Sequence, residues 1–476
     1  MQATGTTSVE AVPISYAQKF IQCVLEHLGP RAFLLQLTTC MRVRGPIDEL
    51  RFARAAAVLV NRHPILCSRL ELSHGELFQR QVGGAGSFEV VRTDGGTDRE
   101  VDKLLSARAD EPLDLFKENP FKVVLVRTHP GEAFFMLLAH HMFVDVGALR
   151  ALLEQYVELV FGDHALMNET PRSGEDGSYL SYARREQQMI HDGTYLRRAQ
   201  YWLGYLEQAD LGLRLPGRGP DPALQSPASI PFSLDREALQ ALAARSRRLG
   251  VTPFALTTAA ILHSLHQATT QDDLMVSMVV DARRRPFERT IGTFADTIAI
   301  RQREQNSGLS DDAVRTVYRE ILGGMKNLLP SMYLADHLDW LRLRYASGHA
   351  MNEVNVNYVP MTRQYTPLTG YEVSHFNLTG RTYPDARYDG VVMRWLLAAG
   401  RDSLSGTIMY DTALVQPEIA HAVIDFWIEG LRGRTLSVHP ARSAAPVKAG
   451  DKLGCAGNLL CPVLVEHAAD HVLIGP

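Results

Sequence analysis

The chain has 476 residues, five cysteines and a formal net charge of -4 from 49 basic and 53 acidic side chains. That length exceeds one small core and suits two or more domains, while the slight acidity excludes a sequence-independent nucleic-acid binder, which needs a strongly basic face. A hydrophobic fraction of 46% and a charged fraction of 21% are those of a soluble globular protein; no apolar stretch is long enough to span a bilayer, and Met1 to Val12 lacks a secretory-signal pattern.

In chain order, residues 15–28 read as a helix entered at Ser15, and 33–43 as a strand rich in β-branched and apolar residues. Residues 46–60 look helical, with Leu50, Phe52, Ala55 and Val58 as the inward stripe, and the run RHPILCSRLEL turns the chain into another strand. Strands at 121–127 and 132–139 flank a turn at Pro130 and Gly131. The second strand feeds into His140, His141, Met142, Phe143, Val144 and Asp145, and then an amphipathic helix follows through Leu149, Leu152, Leu153, Tyr156, Val157, Val160 and Phe161.

Gly147 lies near the start of that helix, so residues 140–146 form a strand-to-helix loop, a place where reactive groups sit on a rigid base. An imidazole titrates near neutrality, and a histidine fixed at the end of a buried strand suits general-base work on an amine, alcohol or thiol. Side chains alternate along extended chain, so one histidine is expected to face the interior of its own subdomain and the other the open side of the loop.

Residues 162–177 turn polar and read as a linker. Residues 179–208 are helical in two pieces broken near Gly193; Asp235 caps a helix ending at Gly250, and Thr252 with Pro253 starts another running to about His266. A strand at 274–280, a turn holding Arg283, Arg284 and Arg285, strands at 352–359 and 406–411, and a helix at 417–432 complete the second unit. Both halves mix helices and strands in the manner of α/β sandwiches: residues 1–175 form one subdomain, 176–435 a second, and 436–476 a linker and tail. The tail carries Cys455, Cys461, His467 and His471, but the spacing is wider than that of a usual zinc site and no metal is expected. The scattered cysteines give no disulfide framework, which points to a reducing compartment and a cytoplasmic location.

Seven segments occur in an order that resembles the condensation domains of nonribosomal peptide synthetases, part of the chloramphenicol-acetyltransferase-like superfamily. They are PISYAQ, RHPILCSRL, HHMFVD, YLSYARREQQ with AQYWLGYLEQA, DARRRP, IGTFADTIAIR and GTIMYDTALV, and the resemblance covers roughly residues 12–434. It implies two acetyltransferase-like subdomains in a V around an active-site tunnel, and an acyltransferase that joins a thioester on a phosphopantetheine carrier to an amine or hydroxyl in natural-product biosynthesis.

In that scheme His141 is the general base, and His140 is structural. Asp145 is a loop brace that pairs with an arginine of the second subdomain, here Arg283, with Arg284 the nearby competitor. Asn357 resembles an asparagine that positions substrate on a central strand. No bound cofactor is implied, because the phosphopantetheine arm arrives with the substrate. The implied partners are acyl or peptidyl carriers acting in trans on a monomer, with a small-molecule or carrier-bound acceptor; the chain is read as a free-standing condensation enzyme or a piece of a larger synthase, and the tail is a candidate docking segment.

The chain departs from the family's HHxxxDG pattern. Val146 stands where glycine directly follows the aspartate, and Gly147 comes one place late. A β-branched residue there implies either a narrowed tunnel at Val146 and Gly147 or a site that recruits carriers without chemistry. IGTFADTIAIR, which resembles the crossover flooring the tunnel, has Asp296 in place of the usual asparagine. The alternatives to the leading activity are a coenzyme A-dependent acyltransferase and a non-catalytic carrier-recruitment module.

Overall fold

The computed structural model describes residues 11–82, 87–93, 95–162, 177–207, 209, 212–214, 227–269, 271–303, 308–335, 353–360, 370–378, 391–400, 403–412 and 414–434. The tail at 436–476 and residues 163–176 of the linker lie outside them.

The first half opens with a short strand β1 (Val12–Pro13) and helix α1 (Tyr16–Leu28). Ser15 caps α1 through a capping box in which its side chain accepts from the Gln18 N–H and the Gln18 side chain accepts from the Ser15 N–H. A 3-10 turn at Gly29–Leu35 then delays the next strand, β2 (Gln36–Arg44), by three residues relative to the expected start at 33. Helix α2 (Glu49–Arg62) begins at the Asp48 cap, beyond the expected 46. Its inward stripe is Phe52, Ala55, Ala56, Leu59 and Val60, while Leu50 is 58% exposed. With Asp48 as N-cap, Leu50 stands at the second helical position, off the Phe52–Ala55–Leu59 face that meets the sheet.

Strands β3 (Ser68–Ser73) and β4 (Glu76–Gln81) pair with each other, and β4 also pairs with β1, in a small sheet. Then come β5 (Ser87–Arg92), α3 (Asp98–Asp110), β6 (Phe121–His129), β7 (Glu132–His140) and α4 (Val146–Phe161). Alternate residues of β6 and β7 divide cleanly between two cores. Val123, Leu125, Phe135, Leu137 and Ala139 join the α2 and α4 side, whereas Val124, Val126, Phe134, Met136 and Leu138 join the α3 side. The sheet is thus sandwiched between helices, and its central strand β7 carries an unbroken buried run because both faces are covered.

The chain continues through α5 (Tyr179–His191), a left-handed Gly193, and α6 (Thr194–Leu206). The second half then adds β8 (Pro227–Ser233), α7 (Arg236–Leu249), α8 (Pro253–Thr269), β9 (Leu274–Asp281), β10 (Ala295–Gln302), α9 (Asp311–Lys326) and α10 (Ser331–Ala335). It ends with β11 (Glu353–Pro360), β12 (Glu372–His375), β13 (Val391–Ala399), β14 (Leu404–Asp411) and α11 (Pro417–Leu431). Asp235 caps α7, Gly250 closes it in the left-handed region, and the Thr252 hydroxyl caps the start of α8.

Six strands form the second sheet in the order β10-β9-β11-β13-β14-β8, with β11 parallel to both neighbours. One face packs on α8, α9 and α11 through Val276, Met278, Val354, Val356, Trp395 and Trp427. The opposite face carries buried polar groups: Ser277, Asn355, Asn357, Arg394 and Thr407. Strand β12 leaves this half and pairs antiparallel with β2, so the first sheet reads β12-β2-β7-β6-β5 and the halves share backbone hydrogen bonds. Among the described residues no helix is long and apolar enough to cross a membrane.

Candidate active site

The loop after β7 is held at both ends by the second half. His141 donates its backbone N–H to the Leu35 carbonyl at 2.8 Å and accepts at its own carbonyl from the Thr293 hydroxyl at 2.5 Å. Four residues on, Asp145 donates its N–H to the Gly292 carbonyl at 3.1 Å, and its carboxylate accepts from the N–H groups of Phe294 and Ala148 at 2.8 and 2.7 Å. Residues Gly292, Thr293 and Phe294 therefore form a clamp against the strand-to-helix turn.

Arg283 closes the clamp. Its two terminal nitrogens reach Asp145 Oδ1 and Oδ2 at 3.0 and 2.9 Å, the fork geometry that matches a guanidinium to a carboxylate. The same side chain donates to the carbonyls of Thr290 and Gly292 and to Asp281, and it lies 4.5 Å over the Phe294 ring. The paired side chains are 10% and 2% exposed. Burial opposes the Arg283 charge, but the carboxylates of Asp145 and Asp281 outweigh it and hold the guanidinium charged above its ordinary range. Arg284 points elsewhere, donating to the Met325 carbonyl, so it is not the partner of Asp145.

His140 is fixed as a neutral ring. Burial, reinforced by His141, lowers its pKa to about 3, and Nδ1 accepts from the Met142 N–H at 3.1 Å, which leaves the ring proton on Nε2. The expected division into one inward and one open histidine does not hold: His140 is 3% exposed and His141 0%. Alternation puts His140 on the Leu138 and α3 face, but His141 lies past the last strand residue, where Leu35 and Thr293 cover the turn from both sides.

Val146 is the first residue of α4, with Asp145 as its N-cap, and it packs partly against the first core. Its backbone is not in the left-handed region, so the fold places no demand for glycine there. Gly147 is exposed over the ion pair, where an added Cβ would lie 3.4 Å from Asp145 Oδ1, an ordinary contact. Asn357 is 1% exposed on β11, and among the described residues neither atom of its carboxamide has a hydrogen-bond partner. The parallel register of Val356 with Met278 puts it roughly 7 Å along the sheet from Asp281, on the side of the Arg283 cluster. It shares no hydrogen bond with His141, Asp145 or Arg283.

A cleft of about 790 Å³ opens where the halves meet, lined by Arg62, His63 and Gln155 from one side and Tyr179, Thr290 and Ile291 from the other. It borders the clamp but is not lined by His141. Asp296, at the start of β10, takes two contacts from the Ser331 N–H, and burial pushes its carboxyl up to about 6.

The resemblance pairs Asp145 with Arg283, an ion pair that the structure contains, but it assigns no role to Gly292, Thr293 or Phe294. Their signal is the motif IGTFADTIAIR, which the resemblance reads only as tunnel floor.

Two α/β halves are joined by a shared strand, and the turn from His140 to Asp145 lies at the seam, its aspartate paired with an arginine of the other half. Residues 9–346 match the model of the Condensation domain family, and the chain belongs to that family. It is 24% identical over 466 residues to one of the linear gramicidin synthase proteins of Brevibacillus parabrevis, a stretch that covers 92% of this chain and 9% of that synthase. The chain therefore spans a small part of the length of such relatives. Its fold matches the condensation domain of the monacolin K polyketide synthase MokA with a TM-score of 0.70 at 16% identity, covering 90% of this chain and 98% of that one. The X-domain in its complex with OxyB from teicoplanin biosynthesis matches with a TM-score of 0.70 at 18% identity, covering 90% and 94%.

Proposed function

We propose that this chain transfers an acyl group from a phosphopantetheine thioester on a carrier protein to an amine or hydroxyl acceptor, forming an amide or ester. The observation that carries the reading is the clamp: Arg283, Gly292, Thr293 and Phe294 of one half fix both His141 and Asp145 of the other. A histidine whose backbone is held in this way sits on a rigid base suited to general-base work.

In the proposed step the acceptor nitrogen or oxygen attacks the thioester carbonyl while the His141 imidazole takes its proton. The new C–N or C–O bond forms as the C–S bond breaks, and the imidazolium returns the proton to the departing thiolate. The thioester supplies the activation, and the phosphopantetheine arm belongs to the carrier. His140, neutral throughout the working range, keeps the turn in shape, and Asp145 braces the loop through Arg283. Asn357, with its open carboxamide, is the candidate to orient the acyl carbonyl or the acceptor. The carriers act in trans on a cytoplasmic monomer in this reading.

The test loads a carrier with a simple acyl group, adds the protein with a panel of amines and alcohols, and follows loss of acyl mass from the carrier by intact-protein mass spectrometry. Transfer by the parent and a drop of about a hundredfold or more in His141→Ala are expected, the scale of a lost general base. Transfer by His141→Ala at the parental rate refutes the assignment, and acyl coenzyme A serving as well as the loaded carrier replaces the carrier as donor.

A second reading is a module that binds carriers or partner enzymes without chemistry. Val146 in place of the motif glycine favours it, as does the likeness to an X-domain solved with OxyB. Tight carrier binding with no transfer to any acceptor selects it.

A further inference from the structure

The motif YLSYARREQQ is left without a role by the proposed chemistry, yet its first residue touches the clamp. Tyr179 is 1% exposed, and its hydroxyl donates to the Thr293 carbonyl at 2.6 Å. The same hydroxyl lies 2.7 Å from the Ser15 hydroxyl, the N-cap of α1. The Tyr179 ring meets Phe294 edge-on at 5.0 Å and lies so close to Gly292 that a Cβ there would come within 2.0 Å of it. One side chain therefore touches all three clamp residues: Gly292 by contact, Thr293 by hydrogen bond and Phe294 by ring packing.

The consequence runs through Thr293. Its carbonyl is held by Tyr179, and its hydroxyl donates to the His141 carbonyl. Fixing the carbonyl fixes the peptide plane that follows Thr293, and with it the backbone from which the hydroxyl reaches the His141 carbonyl. Ser15 has a separate function in capping α1 and contributes to this line only by seating the Tyr179 hydroxyl. The Ser15, Tyr179 and Thr293 hydroxyls are all buried, so water does not compete for these bonds.

We infer that Tyr179 is a positioning residue: its hydroxyl, acting through Thr293, sets the orientation of His141. This rests on the reading of His141 as the general base, and it predicts an effect on the imidazole that is measurable apart from turnover. A small misplacement of a general base lowers kcat without changing how tightly the carrier binds.

The test is Tyr179→Phe in the full chain, which keeps the ring against Gly292 and Phe294 and removes only the hydroxyl. Protein labelled with 13C at histidine Cε1 is compared with parent by NMR, with the His140 and His141 resonances assigned from His140→Gln and His141→Gln. The expected result is a shifted His141 resonance with His140 unmoved, a kcat lowered by about tenfold, and an unchanged KM for the loaded carrier. An unmoved His141 resonance overturns the inference, as does a kcat loss that tracks a fall in Tm, with Ser15→Ala as the comparison for loss of the α1 cap alone. If His141→Ala keeps parental transfer, the catalytic reading fails instead, while the resonance shift still decides whether Tyr179 orients the ring.

Discussion

Arg283→Met separates the brace from the rest of the fold. The substitution keeps much of the aliphatic bulk over Phe294 and removes the charge from a side chain that is 10% exposed, leaving Asp145 at 2% exposure without its counter-ion. Breaking a buried pair by removing one partner costs about 3–5 kcal/mol. Asp145 keeps two backbone donors, Ala148 and Phe294, so the lower end of that range applies, about 3 kcal/mol. Asp145→Asn with Arg283→Met removes both charges and should cost less than Arg283→Met alone, about 1–2 kcal/mol, because no uncompensated charge stays buried.

Urea unfolding measures this with two probes. The tryptophans are Trp202, Trp340, Trp395 and Trp427, all beyond residue 175, so fluorescence reports the second half while far-ultraviolet circular dichroism reports both. Because the pair spans the seam, the two transitions should coincide in the parent and separate in Arg283→Met, the first half unfolding at lower urea. A loss below about 1 kcal/mol in the single variant, or a double variant that loses the sum of the two singles, refutes the view that this pair holds the loop.

Two further outcomes follow from named groups. Glu186 is fully buried on α5, accepts from the Tyr16 N–H at 2.8 Å and the Tyr195 hydroxyl at 3.1 Å, and is pushed up to about 7 chiefly by burial, with Asp296 adding to the effect. Its folded pKa lies above the unfolded value of 4.5, so its stabilising protonated form is fully present below that value, and the contribution is lost as pH rises through about 7. The difference amounts to about 3 kcal/mol, so Tm should fall between about pH 5 and pH 8, and Glu186→Gln should flatten that fall; an unchanged slope by differential scanning fluorimetry contradicts the burial argument. Gly292→Ala puts a methyl carbon 2.0 Å from a ring atom of Tyr179, which is pinned by two hydrogen bonds, and should cost about 3 kcal/mol or more in a thermal melt. Gly131→Ala, where nothing lies within 4 Å, is the control and should be near neutral; equal losses would discount the close approach.

Helix starts and stops are legible in the sequence because capping is local. Ser15, Asp235, Gly250 and Thr252 each act within a few residues of themselves, and each does in the structure what its position implies. The stripe on α2 departs from the expectation because its true start, set by the Asp48 carboxylate, rotates Leu50 out of the buried face. The start of β2 is later than expected for a similar reason, since an apolar run has the same composition whether it forms a 3-10 turn or a strand.

Legible in the sequence were the strand that runs into the histidine pair, the helix after Asp145, and, through the family resemblance, the pairing of Asp145 with an arginine 138 residues away. The other long-range contacts came from the tertiary structure alone. The addition of β12 to the first sheet, the burial of both histidines, the hold of Gly292, Thr293 and Phe294 on the loop, and the Tyr179 hydroxyl behind them join residues far apart in the chain. Hydrophobic period and capping chemistry report on neighbours within one or two turns. A bond between residues 141 and 293 leaves no periodic trace, because its energy depends on how two separate sheets come to lie against each other.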